Sequence, residues 1–489
     1  MIYYHVEGNT NNSFYPRNDV DYLYEGNINF TDLIQDNELF GTILYRATND
    51  RLVDNQDLSL EQAFVGLRGE SFEFLTGDFY SNFSEYSLAN ALKGLKVYLG
   101  ADDGLHLSCV GGVDSSKWEE FWEERQEDSA LRRYVWGLEA GSNLFDKKLA
   151  LNFNYGGAVD DKAYLVAGTP KTFVNVVSID GSYLINDNLN FSFEIAQSFT
   201  DPDDDLDSVE VKTENAYKTV LNYNMKDYSF TTQYSRIGQH FSATSGFTAS
   251  DLETIMIDAL WFLPKSVQFT HYFHYDRDNL SDHKSATTKQ LNPGAGFSFT
   301  LPSEINCELG FDMRKRYSSD KFTNDKTYTY SVNFGKGLEL FFVNLGYIKT
   351  IVVDEANSSQ ERDIDTVSLG LDGNFNVKDV LLSWDVSEGL HHEHYNEVNE
   401  ADLILTHSVG LHLDFPSTLS IDARVMLSDN DYFLNPTDNN ISNIVVSISR
   451  NLKDDLTFSA NYEHRGYNYS DSDNNYSETI ITGRLSYQF

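Results

Sequence analysis

The sequence predicts an all-β fold, a single transmembrane antiparallel up-and-down β-barrel of about 26 strands over residues 1–489, with short turns at one rim and longer loops at the other. Three observations predict it. Apolar and polar residues alternate along most of the chain, the connections between alternating runs are short and long by turns, and the composition is acidic and aromatic-rich at once. The 36 Lys+Arg against 75 Asp+Glu give a net charge of −39, which excludes a nucleic-acid partner needing a basic face. No stretch approaches the roughly 20 apolar residues of a membrane helix. The 30 Tyr, 33 Phe and 5 Trp argue equally against a disordered acidic chain. A barrel wall reconciles these facts, because only every second residue of it must be apolar. The competing class is a soluble all-β protein.

Taken from the end of the chain, the alternation runs as follows. In residues 480–489, Ile481, Leu485, Tyr487 and Phe489 share one face, with Thr482, Arg484, Ser486 and Gln488 on the other. Leu456, Phe458, Ala460 and Tyr462 alternate with Thr457, Ser459, Asn461 and Glu463, and Ile421, Ala423 and Val425 with Asp422, Arg424 and Met426. Leu382, Trp384 and Val386 alternate with Ser383, Asp385 and Ser387. Cys307, Leu309, Phe311 and Met313 alternate with Glu308, Gly310, Asp312 and Arg314. The short connections fall at 451–455, 415–417, 377–379, 337–339, 301–303, 263–265 and 226–227, continuing upstream at 185–188, 145–148, 101–104, 68–70 and 34–37. Their interleaved partners are longer and rich in Asp, Asn, Ser and Gly. An even strand count puts both termini at the short-turn rim, and the strand-like start Ile2-Tyr3-Tyr4-His5-Val6 is read as following a removed signal.

The terminal Phe489, with Tyr487, Leu485 and Ile481 at odd spacings before it, resembles the C-terminal signal of bacterial outer-membrane β-barrels. That resemblance implies recognition of these four residues by the barrel-assembly machinery, contact with outer-membrane lipid in a Gram-negative bacterium, and periplasmic termini. Closing about 26 strands gives a barrel on the order of 50 Å across, with no separate plug domain apparent in the chain. A wide barrel without a plug resembles the porin component of porin-cytochrome electron conduits. The resemblance implies a lumen-occupying partner, a multihaem cytochrome, with haem on the partner and none on this chain. It rests on architecture, since the CxxC carried near the N-terminus of some members is missing here. Cys109 and Cys307 are the only cysteines, which leaves no CxxCH haem-attachment site and no disulfide framework. The expectation is a non-catalytic sheath or scaffold. The alternatives are an open diffusion porin for small, preferentially cationic solutes and a surface adhesion or assembly barrel.

Candidate lumen-lining residues are Glu308, Asp312, Arg314, Asp422, Arg424, Glu463 and Arg484, all on the polar face of their runs. Asp203, Asp204 and Asp205 lie in an acidic loop whose oxygens suit Ca²⁺, although an EF-hand's glycine and terminal Glu are missing. His392 and His394 project from one side of an extended chain and are weak metal candidates. For both groups a solvated loop is the commoner case. Residues 117–133 break the pattern: Trp118, Phe121, Trp122 and Arg125 follow helical spacing after Ser115 and Ser116, predicting a short helix in an external loop. Residues 77–86 pack Phe79, Tyr80, Phe83 and Tyr86 together and are assigned to the aromatic girdle at the membrane interface. No nucleophile elbow, P-loop or paired-His motif appears, so no enzymatic activity is expected.

Overall fold

The computed structural model describes all residues except 10–12, 14, 16–18, 52, 55, 101–103, 115–117, 119–131, 162–171, 202–210, 245–249, 433–438, 454 and 488–489. Twenty-seven strands form one antiparallel sheet, with no α-helix among the described residues. The first nine are β1 (Ile2–Gly8), β2 (Asp19–Asp21), β3 (Leu23–Ile34), β4 (Asn37–Thr48), β5 (Leu58–Arg68), β6 (Phe72–Ser84), β7 (Leu88–Gly100), β8 (His106–Asp114) and β9 (Arg133–Leu144). Then follow β10 (Leu149–Asp160), β11 (Phe173–Asn186), β12 (Leu189–Asp201), β13 (Lys212–Met225), β14 (Tyr228–Ile237), β15 (Leu252–Leu263), β16 (Val267–Asp278), β17 (Thr288–Thr300) and β18 (Ile305–Ser318). The last nine are β19 (Asn324–Gly337), β20 (Phe342–Asp354), β21 (Arg362–Val377), β22 (Val380–Tyr395), β23 (Glu400–Phe415), β24 (Leu419–Asp431), β25 (Asn439–Lys453), β26 (Leu456–Tyr469) and β27 (Tyr476–Tyr487).

From β3 onward each strand pairs with the next, and β27 returns to β1 from Ile2↔Thr482 to Gly8↔Tyr476. β1 also pairs with β2, from Ile2↔Asp21 to Tyr4↔Asp19. Tyr22 alone separates β2 from β3, and they pair with β1 and β4 respectively, so they form one interrupted stave. Counted this way the ring has 26 staves, the number the sequence predicts. Ring closure is what makes such a wall viable in lipid, because each backbone N–H and C=O then finds its partner in a neighbouring strand.

One rim carries only short turns, with left-handed backbone at Gln35 and Asp36, at Phe145, Asp146 and Lys147, and at Lys378 and Thr418, as tight hairpins require. The other rim carries the long loops, although three of its connections are as short as the turns opposite: residues 85–87 between β6 and β7, 319–323 between β18 and β19, and 396–399 between β22 and β23. Large exposed apolar residues mark the outward face. Ile179, Ile195 and Val409 are each about half exposed there (48%, 52% and 54%), while Asp180, Glu194 and Ser408 alternate with them toward the lumen. Ile481, Leu485 and Tyr487 lie outward on β27 as expected, and Phe489 falls outside the described residues.

The helix expected over 117–133 is corrected at its end. Arg133 is the first residue of β9, its guanidinium Nε 2.6 Å from Asp160, and the adjacent Arg132 pairs with Asp161. These pairs tie both arginines to the end of neighbouring β10 and hold the chain extended. Trp118 sits in a bend, and the remainder of the predicted helix lies outside the described residues.

Candidate functional site: a hairpin folded into the lumen

β6 and β7 begin as wall strands and then leave the wall. They pair with each other along their whole length, from Phe72↔Leu99 to Ser84↔Leu88. β6 pairs with β5 only from Arg68↔Glu73 to Phe64↔Gly77, and β7 with β8 only from Gly100↔His106 to Lys93↔Val113. Residues 78–92 therefore form a free-standing hairpin that bends over the lumenal face of β8–β14. The bend falls at Gly77, whose φ is +107° and where a Cβ would lie 2.1 Å from the Ala63 carbonyl oxygen. Only glycine fits there.

Asp78 ties the base. Its carboxylate accepts from the Ala63 backbone N–H (2.7 Å) and the Trp118 indole N–H (2.6 Å) and pairs with the Lys93 ammonium at 2.5 Å. Lys93 also lies over the Trp118 ring, 5.4 Å from its centroid. The Ala63 contact replaces the ladder bond that β5 loses where β6 departs. At the tip the Tyr86 N–H donates to Glu194 Oε1 (2.9 Å), the Ser84 and Ser178 hydroxyls meet at 2.9 Å, and Thr244 Oγ1 donates to the Ser87 carbonyl at 2.5 Å. Glu85 pairs with Lys218.

Between base and tip the hairpin is glued by apolar burial. Phe79, Phe83, Leu88 and Leu92 pack on Val110, Val135 and Ala158, and Tyr86 packs with Val174, Val176, Ala196, Ala216 and Phe241. Full burial of each large side chain stabilises the docked state by about 1.5–3 kcal/mol. The wall supplies a pad of small residues to receive it. A Cβ on Gly137 would lie 2.6 Å from the Phe83 ring and 2.7 Å from Leu88, and one on Gly156 would lie 3.0 Å from the Ser87 carbonyl. On the hairpin's other side Tyr80 is 63% exposed, facing the open lumen. Under the tip lies a cavity of about 330 Å³ lined by Glu85, Asn152, Asp180, Glu194 and Lys218.

The girdle assignment for residues 77–86 is thereby corrected. Phe79, Phe83 and Tyr86 are buried inside the barrel, because the hairpin's former lumenal face is pressed onto the lumenal face of its neighbours. No separate plug domain is expected from the sequence, and the lumenal obstruction comes instead from two wall strands. Asp78, Lys93, Glu194 and Gly137 carry this arrangement and were not singled out by sequence reasoning. The available signal was apolar Phe79, Leu88 and Leu92 at positions where a wall strand's lumenal face is polar.

The expected lumen residues lie on the face opposite the outward apolar side chains, and they are spread around β18, β24, β26 and β27. Asp312 accepts from the Tyr272 hydroxyl, Arg314 donates to Thr327 Oγ1 (3.4 Å), Asp422 lies 2.5 Å from His412, and Arg424 pairs with Asp385 at 3.0 Å. Glu463 pairs with Arg465 at 2.7 Å, Glu308 sits cross-strand from Ser298 and Asn333, and Arg484 from Ser459. The structure does not gather them into one site. His392 and His394 stack with ring centroids 6.4 Å apart within β22, not in a loop, on its outward side opposite Asp365 and Asp363. Both of those aspartates are taken by Lys349, and no metal-holding group of three ligands occurs among the described residues. Asp203, Asp204 and Asp205 lie outside the described residues.

No protein-family model and no curated protein sequence matches the chain. Solved structures similar to it are outer-membrane barrels. The copper transporter OprC is 8% identical over 84% of this chain and 85% of its own, with a TM-score of 0.41. The translocation pore of the P pilus usher PapC is 10% identical over 100% of both chains, at 0.38. The siderophore receptor PirA of Pseudomonas aeruginosa is 12% identical over 85% and 86%, at 0.35. No activity is carried over from them.

The Gly137→Leu substitution tests the docking pad. The added side chain displaces Phe83 and Leu88 at a cost of about 1–3 kcal/mol, as overpacking does. Amide exchange in residues 79–92 is expected to rise while that of β15–β26 stays unchanged. Unaltered protection at the hairpin would place its tip elsewhere.

Proposed function

We propose that the chain is a wide, non-catalytic conduit in the outer membrane of a Gram-negative bacterium, long loops outside and termini periplasmic, whose lumen encloses a second polypeptide. The observation that carries this reading is the asymmetry of the lumen. Its own hairpin covers β8–β14, and the buried apolar clusters among the described residues all lie on that side, none on the polar arc of β15–β25. A ring of 26 staves is on the order of 50 Å wide, more than one hairpin fills. Along this arc the Arg424–Asp385 pair, exposed on both sides, offers both charges to a guest's surface, and Arg316 offers its guanidinium. The guest suggested by architecture is a multihaem cytochrome, with the haem belonging to the guest. Ca²⁺ at the acidic loops belongs to the same proposal.

The inward hairpin favours a second reading, an open porin, because it narrows the lumen and makes an unoccupied pore less leaky. Planar-bilayer conductance of the purified chain, with a visible spectrum of the complex isolated from native membranes, separates the two. Very large conductance with a haem Soret band supports the sheath. A modest, cation-selective conductance and no co-purifying protein overturns it in favour of the porin.

A further inference from the structure

Where β6 leaves β5, the wall is notched from the outside. A cavity of about 870 Å³ opens on the outward face, lined by Phe30, Ile43, Val65, Leu95, Gly111 and Trp118, within the size range of small-molecule sites. The first five share one side of the sheet: Ile43 neighbours Ala63 across β4 and β5, and Val65, Thr76, Leu95 and Gly111 form one cross-strand row. Phe30, Ile43, Val65 and Leu95 all belong to the exposed apolar surface that meets lipid. The notch is therefore continuous with the bilayer-facing belt. Its upper end is polar, formed by Lys93 and by Trp118, whose indole N–H is bound to Asp78.

Its inner wall is thin. Residues 58–63 of β5 pair with no residue of β6, and Phe64, which lines the notch, is packed against the lumenal cluster of Leu75 and Phe79. Among the described residues, side chains rather than a hydrogen-bonded ladder separate membrane from lumen at this place.

We propose that the notch is a lateral binding site for a single-chain amphiphile drawn from the surrounding bilayer, the alkyl chain lying between Val65 and Leu95 and an uncharged or zwitterionic head at the Lys93–Asp78–Trp118 node. Lys93 is already neutralised by Asp78, so the node offers hydrogen bonding without net charge. An apolar chain in the notch covers apolar surface left open among the described residues, with burial supplying the affinity. The site does not depend on what fills the lumen.

The test uses the full chain in phosphatidylcholine vesicles, with Trp122, Trp136, Trp261 and Trp384 replaced by Phe so that Trp118 alone reports. Nitroxide-labelled lysophosphatidylcholine is the probe. Quenching of Trp118 is expected to saturate at low mole fraction and to be reversed by unlabelled lysophosphatidylcholine. Gly111→Phe fills the notch, since a Cβ there meets nothing within 4 Å, and is expected to abolish the saturable component. Gly483→Phe, on the outward face of β27 and equally free of neighbours, is expected to retain it. Quenching that rises linearly with mole fraction and is not displaced overturns the proposal, and this readout needs no notch variant to fold.

Discussion

Replacing Asp78 by alanine is expected to loosen the lumenal hairpin. The change removes the counter-ion of Lys93, which is only 6% exposed, and strands the Ala63 and Trp118 N–H groups that share the same carboxylate. Breaking a buried pair by deleting one partner costs about 3–5 kcal/mol, because the surviving charge stays desolvated. Against it stand about 1.5–3 kcal/mol for each of the five large apolar side chains buried at the wall, so opening of residues 78–92 becomes more frequent rather than complete. The rest of the barrel keeps its ladder, so the loss is local: amide protection should fall in residues 79–92 and persist in β15–β26. Single-channel records should show more frequent excursions to a higher conductance as the hairpin swings clear. Lys93→Met in the Asp78→Ala background should restore part of the protection, since the double change leaves no unpaired charge. Conductance and exchange identical to the unsubstituted protein would mean that apolar packing alone fixes the hairpin.

The complementary result comes from locking the tip. Ser84 and Ser178 carry hydroxyl oxygens 2.9 Å apart on hairpin and wall, close enough for a disulfide once both are cysteine. In a Cys109→Ser background, with Cys307 buried, the Ser84→Cys, Ser178→Cys pair should cross-link under oxidation. The locked form of Asp78→Ala should return to the low conductance of the parent, and reduction should open it again. The staple acts on the hairpin alone, so reversal by reductant distinguishes a displaced hairpin from general loosening of the barrel. Failure of the cysteines to join would place the tip away from β11.

How far each feature was legible follows from the range of the interaction that encodes it. The strands from β15 to β27 are local in origin. Rows such as Ile421, Ala423 and Val425 against Asp422 and Arg424 state which face meets lipid, and a two-residue turn such as 378–379 fixes the register of its hairpin. The short-long rhythm of connections likewise fixed two rims and an even number of staves. The hairpin was misread because β6 and β7 obey the same local rules as their neighbours. Phe79 and Tyr86 suit a girdle as well as a core, and nothing within residues 77–86 says which surface receives them.

The sequence by itself determined that this chain is a β-barrel of about 26 staves, which residues face outward along β15–β27, and that it carries no catalytic or haem-attachment motif. Those properties follow from period-two patterning and turn length, which act between residues close in sequence or directly across one hairpin. Only the tertiary structure decided that residues 78–92 lie in the lumen. That outcome depends on Glu194, Ser178, Gly137 and Thr244, 50 to 160 residues from the hairpin's tip along the chain, presenting a hydrogen-bonded edge and a pad of small side chains. The same event opens the outward notch, since a strand pair that folds inward leaves β5 without its neighbour. Neither consequence is written in any one segment, because each arises from surfaces that meet only when the ring has closed.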